Sequence, residues 1–260
     1  MSWSLDDDLA FYAAEGIDGV GVSLRKLEDA PGGVDAAARR VASAGLRVTN
    51  LIGLGPFELT DPSGWPGHRD RLLAAVDAAA IVDAGCLVIT TGPAGQLTWE
   101  AAADALAEAI GPVLAAAGTA GIPIALEHTN SLRADIGFVH RLRDALDLAA
   151  RLSIGVCMEI NACWAERGLA DTIERGVGDG RVALVQVSDY VIGTLGTPDR
   201  AVPGDGDIPI ERILGQLLAA GYDGAFDLEL IGPRIEAEGY ASAIRRSVSA
   251  LDAMLDRLVL

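Results

Sequence analysis

Two hydrophobic rhythms alternate along the chain. Short apolar runs recur at Val20 to Val22, Leu46 to Leu51, Cys86 to Thr90, Ile122 to Glu127, Ser153 to Glu159, Arg181 to Val187 and Ala225 to Leu230. Between them lie longer segments rich in Ala, Asp and Glu, most of them closed by a glycine: Gly16, Gly45, Gly85, Gly121, Gly180 and Gly221. Runs of this length bounded by turn residues read as buried strands, and a glycine after a helical segment supplies the left-handed position that ends a helix. The repeat recurs about every 25 to 41 residues, the length of one βα unit. Seven such strands alternating with helices predict a parallel sheet with right-handed crossovers, either closed as a barrel or open and doubly wound. A dinucleotide-binding open sheet places a Gly-rich turn after its first strand. Here Gly204-Asp205-Gly206 comes late, in a loop. The expectation is therefore one α/β domain over residues 1–260, a (β/α)8 TIM barrel.

The first strand is short in this reading. Ser4 followed by Asp6, Asp7 and Asp8 has the form of an N-cap with acids in the first helical turn, so the first helix starts near Leu5. Only Met1 to Trp3 remain for strand one, and a homo-oligomeric partner is one way to cover the gap. Further helices are expected over Val34–Ala44, His68–Ala84, Thr98–Ala120, Phe138–Leu152, Leu169–Gly176, Pro209–Ala220 and Ile235–Arg257, with His140 as an ordinary helix residue. Helix-to-strand links are short. Strand-to-helix links are long, notably 52–67 and 189–208, which directs attention to the C-terminal ends of the strands.

Half of the residues are apolar but only 5% are aromatic, so the core has to be built from Ala, Leu, Val and Ile. A formal charge of −17 repels phosphate backbones and anionic lipid, which argues against nucleic-acid or membrane partners. Cys86, Cys157 and Cys163 are odd in number and lack CxxC spacing, so neither a disulfide framework nor a thiolate metal site is indicated. No secretory leader pattern opens the chain and no apolar run is read as a membrane span, so a cytoplasmic location is expected.

The chemistry lies at the strand tips. Glu127, Glu159, Gln186 and Glu229 each stand near the end of an apolar run. One such acid is an ordinary solvent-facing residue. Three that converge in a barrel, with no matching Lys or Arg on the same strands, call for a cation.

These residues carry a resemblance. Leu126-Glu127-His128, Met158-Glu159-Ile160-Asn161, Gln186 with Asp189, Arg200, Pro203-Gly204-Asp205-Gly206, Gly221-Tyr222-Asp223-Gly224 and Glu229 follow one another as do the motifs of the sugar phosphate isomerase/epimerase family. That group of xylose isomerase-like barrels includes hydroxypyruvate isomerases, ketose 3-epimerases and inosose dehydratases. The resemblance runs from about Gly16 onward and is most specific over roughly the last 80 residues. It implies a divalent-metal-dependent isomerase or epimerase of a small polyhydroxy carbonyl compound, with Glu127, Glu159, Gln186 and Glu229 on one ion. Three departures stand out: Gln186 replaces a His, Ala162 stands where many members have a His, and strand one is cut short. An all-oxygen donor set favours Mn²⁺ or Mg²⁺ over Zn²⁺.

Glu127 and Glu229, on opposite walls, are then the pair that removes an α-proton and returns it, while the cation supports the negative charge that develops on oxygen. Return at the same carbon is epimerisation, return at its neighbour is isomerisation, and loss of a β-hydroxyl makes the protein a lyase. A third reading, prompted by the missing imidazoles, is a catalytically silent barrel acting as a binding subunit. His128, Arg200, Trp164, Trp65 and Asp189 are the candidates for substrate contact, with Phe57, Glu58 and His68 in or beside a lid-like 52–67 loop.

Overall fold

Ser4 opens the chain's first helix as a capping box: its hydroxyl accepts the Asp7 amide while the Asp7 carboxylate accepts the Ser4 amide. From there the computed structural model, which describes residues 3–53 and 57–259, alternates strand and helix to the end. The elements are α1 (Leu5–Glu15), β1 (Gly19–Ser23), α2 (Leu24–Asp29), α3 (Gly33–Ser43), β2 (Arg47–Ile52), α4 (Trp65–Ile81), β3 (Leu87–Ile89), α5 (Trp99–Ala120), β4 (Ile124–Glu127) and α6 (Leu142–Leu152). They continue with β5 (Gly155–Glu159), α7 (Ile160–Cys163), α8 (Leu169–Gly178), β6 (Val182–Val187), α9 (Ile210–Ala219), β7 (Phe226–Leu228), α10 (Pro233–Glu238) and α11 (Tyr240–Val259). The seven strands pair in chain order, every neighbour parallel. The result is the expected TIM barrel, nearly closed.

Two layers of apolar packing hold it. Leu51, Leu87, Ile89, Leu106, Ile110, Leu126, Leu142 and Leu148 fill the space between sheet and helices and are fully buried. Cys86, Val88, Ala125, Cys157 and Leu184 form a separate cluster of smaller side chains. Strand alternation places Ala125 on the same face of β4 as Glu127, and Cys157 on the same face of β5 as Glu159, which is the lumen. All three cysteines are buried and unpaired, as expected.

Several boundaries differ from the sequence reading, each for a local reason. Met1 and Ser2, two of the three residues assigned to strand one, lie outside the described residues. Trp3 is a bend that packs edge-on against Phe11 at 5.0 Å and Tyr240 at 5.9 Å. Helix α4 starts at Trp65, before His68, with Pro66 in its first turn. Helix α6 starts at Leu142, after Phe138, because the Phe138 amide donates to Thr91 Oγ1 at 2.9 Å and the Thr129 amide donates to the Val139 carbonyl at 2.9 Å. His140 therefore precedes the helix, with Nδ1 3.1 Å from the Thr129 carbonyl. The last helix is broken in two at Gly239, whose φ is 93°. Helix α5 is, by length and composition, apolar enough to cross a membrane, contrary to the expectation that no run is. In the barrel its Ala102, Ala103, Leu106, Ala109, Ile110, Val113 and Ala117 face is buried.

Among the described residues no ladder joins β7 back to β1. Side chains bring the two edges together instead. Asp227 on β7 and Asn50 on β2 meet over Gly21 on β1, where a Cβ would stand 2.7 Å from Asp227 Oδ1 and 2.9 Å from Asn50 Nδ2. Gly21 is thus a requirement of close approach rather than of backbone conformation.

Candidate functional site

Three carboxylates meet at the C-terminal mouth of the barrel. Glu127 is the last residue of β4 and Glu159 the last of β5. Glu229 follows β7, its amide continuing the ladder to the Val187 carbonyl at 3.1 Å. One ligand oxygen from each lies within 4.8 Å of the other two. Period-two alternation along parallel neighbouring strands turns all three inward.

Arg200 enters this ring from the loop after β6. Its Nη2 donates to Glu159 Oε2 at 3.0 Å and to Glu229 Oε2 at 2.6 Å, and its Nε donates to Glu229 Oε2 at 2.9 Å. The other Glu159 oxygen, Oε1, accepts the Asn161 amide at 2.8 Å.

Burial and charge separate the three acids. Burial, with the Glu229 charge beside it, pushes the Glu127 carboxyl up to about 8. Burial also raises Glu159 well above the usual carboxylate range, against the pull of Arg200. Burial acts on Glu229 in the same direction, but the Arg200 charge and the hydrogen bonds from Glu159 and Arg200 outweigh it, so its carboxyl titrates below the ordinary value. For Arg200, burial opposes the charge and the facing Glu159 and Glu229 overcome it. Three converging carboxyl groups face one guanidinium, and without a further positive charge burial keeps Glu127 and Glu159 protonated. A small divalent cation held by oxygen fits that donor set.

With this arrangement in view, the profile of the xylose isomerase-like TIM barrel family matches residues 9–252. The chain belongs to this family. Among solved structures, protein SMc04130 from Sinorhizobium meliloti 1021 is 27% identical, with a TM-score of 0.88 over 97% of this chain and 94% of that one. The IOLI protein, determined with a binding zinc atom, is 16% identical at a TM-score of 0.80, covering 98% and 94% of the two chains. The 3-keto-D-glucoside 4-epimerase YcjR from E. coli is 17% identical at 0.71, covering 96% and 97%. At such identities the last two share the fold. Among curated proteins no significant match is found.

Other residues expected at this xylose isomerase-like site are placed differently. Gln186, expected as a fourth ligand, pairs in register with Glu159 on β5 and with Asp227 on β7, so it stands level with the ring on one side. Its Oε1 accepts the Cys157 thiol at 3.2 Å, while its Nε2 is buried without a hydrogen-bond partner. His128 is fully buried behind the ring. Its Nε2 accepts the Glu159 amide at 3.3 Å, and burial holds the imidazole neutral, its pKa lowered to about 3. That position supports Glu159 rather than a substrate.

Asp189 is also committed elsewhere: Oδ1 accepts the Tyr190 and Ile208 amides at 2.8 and 3.0 Å, and Oδ2 those of Gly204 and Gly206 at 2.9 and 3.0 Å. It organises the loop that carries Arg200. Trp65 is a core residue whose indole donates to the Glu58 carbonyl at 3.0 Å. Trp164 packs against the same core, partly buried. Phe57 is buried as well, edge-on to His68 at 5.7 Å.

The sequence reading passed over Asp227 and Arg133. Asp227 lies two residues before Glu229 on the same strand face, and that spacing was the available signal. Burial raises its carboxyl to about 6, against the hydrogen bond from Asn50. Arg133 sits in the 3-10 turn just after β4, its guanidinium held by Asp135 at 3.0 and 3.1 Å, and its charge reaches both Glu127 and Glu229.

Proposed function

We propose that the chain is a divalent-metal-dependent isomerase or epimerase of a small hydroxylated carbonyl compound. The observation that carries this reading is the convergence of Glu127, Glu159 and Glu229 within 4.8 Å at the barrel mouth. Glu127, Glu159 and Glu229 would hold the ion. When bound, it would supply Lewis-acid polarisation of the substrate's carbonyl and neighbouring hydroxyl oxygens. With oxygen donors alone, Mn²⁺ or Mg²⁺ is the favoured ion, and the zinc recorded in the IOLI structure makes Zn²⁺ the competitor to test.

The chain's own residues divide the proton work. Glu229 takes a proton from the carbon next to the carbonyl. Glu127, on the opposite wall of the ring, delivers one on the opposite face. Two carboxyls of the same type with diverging environments are the usual sign of an acid and base pair. The 3-keto-glucoside epimerase among the structural neighbours supports a sugar-like substrate.

The test is isotope exchange. Purified chain, loaded in turn with Mn²⁺, Mg²⁺ and Zn²⁺, is incubated in D₂O with a panel of keto-polyols and keto acids. Deuterium at the carbon next to the carbonyl, lost by about 10²-fold or more in Glu229→Gln and in Glu127→Gln, is the expected result. Dehydrated product would select the lyase instead. Absence of any bound divalent ion, together with no exchange, would leave a silent barrel.

A further inference from the structure

Arg200 already occupies one carboxylate oxygen on each of two glutamates of the ring. It spends three hydrogen bonds on two atoms, Glu159 Oε2 and Glu229 Oε2, all at 3.0 Å or less. It is 9% exposed, and no other Lys or Arg forms an ion pair with either glutamate among the described residues. Its backbone is equally fixed. The Arg200 amide donates to the Ile231 carbonyl at 3.0 Å, and the next residue, Ala201, pairs antiparallel with Asp189, with both hydrogen bonds at 2.9 Å. Beyond that pair, the Asp189 carboxylate ties down Gly204, Gly206 and Ile208. A guanidinium held so firmly is a built feature of the ring rather than a side chain that happens to reach it.

We infer that Arg200 is the ring's internal counter-ion, competing with the divalent cation for Glu159 and Glu229 and so setting how tightly the ion is held. A cation drawn to those two oxygens has to approach a positive charge a few ångströms away across a poorly screened space. The ion then binds only as the guanidinium yields part of its contact. The free guanidinium becomes available to an anionic or hydroxyl group of the substrate at the moment the ion is in place. This inference rests on the proposed metal-dependent reading of the same ring.

The experiment measures cation binding rather than turnover. The full-length chain is stripped with EDTA, and titrations with Mn²⁺ and with Zn²⁺ are followed by calorimetry at one fixed pH. The variants are Arg200→Gln, which removes the charge, and Arg200→Lys, which keeps the charge without the two-pronged contact. The expected result is binding tighter by about tenfold or more in Arg200→Gln, with Arg200→Lys close to the parent. If Arg200→Gln is unfolded when stripped, the same competition predicts that Mn²⁺ or Zn²⁺ restores its circular dichroism and raises its Tm by more than it raises the parent's. Equal or weaker binding in a folded Arg200→Gln, or no recovery of an unfolded one on adding either ion, overturns the inference while the parent still binds metal. A parent chain that binds neither ion overturns the metal-dependent reading itself.

Discussion

Arg200 sets two nitrogens on a single oxygen of Glu229, Nη2 at 2.6 Å and Nε at 2.9 Å, while Glu127 receives no hydrogen bond from it. The two acids are the same residue type at equivalent strand ends, yet the Arg200 contact, together with a hydrogen bond from Glu159, sets Glu229 apart. Glu229 is held ionised. Glu127 keeps its proton because burial and the Glu229 charge both oppose its ionisation.

That division makes stability depend on pH. The Glu127 carboxyl titrates at about 8 in the folded chain against an ordinary 4.5, so over that interval the folded state binds a proton that the unfolded state has released. Stability from this group is complete below the unfolded value and is lost as pH rises through the folded one. Glu159 is raised as well and acts in the same direction. The Tm of the metal-free protein is therefore expected to fall by several degrees between about pH 6 and about pH 9. In Glu127→Gln the decline should be shallower. Melts followed by circular dichroism in EDTA check this, and a Tm that rises over the same interval contradicts it.

Much of the barrel was legible because a parallel strand buried on both faces reads as an unbroken apolar run, and because the glycines mark where helices end. The ring was legible for a related reason: Glu127, Glu159 and Glu229 are charges at the ends of such runs. Side-chain partnership was not. Nothing in the sequence around Asp189 distinguishes a carboxylate facing substrate from one saturated by four backbone amides, because those donors come from a loop up to 19 residues away. His128 was ambiguous because neighbouring residues on a strand point to opposite faces, and a one-position difference decides between lumen and shell. Asp227 was missed although the same alternation places it with Glu229.

Asp189 should prove to be a stability residue whose loss is felt at Arg200. Replacing it by Ala leaves the Tyr190, Gly204, Gly206 and Ile208 amides without their acceptor. Orphaned buried donors cost about 1–3 kcal/mol each at most, and part of that returns as water enters the loop, so a net loss of about 2–4 kcal/mol is expected. Urea unfolding gives the value. Limited proteolysis should show new cleavage within 198–208. A variant as stable as the parent would mean that the loop does not depend on this carboxylate.

His128→Ala separates a supporting role from a binding one. The substitution opens a cavity behind β4 and β5 and removes the acceptor of the Glu159 amide, for which about 2–4 kcal/mol of destabilisation is expected. Because the imidazole lies behind the ring, the KM of any substrate found by the exchange assay should stay within about twofold, with the loss appearing in kcat as Glu159 loosens. A large rise in KM at unchanged kcat would return His128 to the substrate.

Gly21→Ala tests how the barrel closes where no strand ladder does so. The added methyl group would stand 2.7 Å from Asp227 Oδ1 and 2.9 Å from Asn50 Nδ2, so at least one of these side chains has to shift and disturb the Asn50–Asp227 contact. Overpacking of this kind costs about 1–3 kcal/mol. Because Asp227 is two residues from Glu229 on β7, the displacement is carried to the ring as well as to the seam. The variant should unfold at lower urea concentration and bind Mn²⁺ or Zn²⁺ more weakly, whereas Ala at Gly111, inside helix α5 where an added Cβ meets nothing within 4 Å, should leave metal binding unchanged and stability unchanged or raised by up to about 1 kcal/mol. A Gly21→Ala protein with the parent's stability would show that β1 and β7 are held together by the helices α1 and α11 alone.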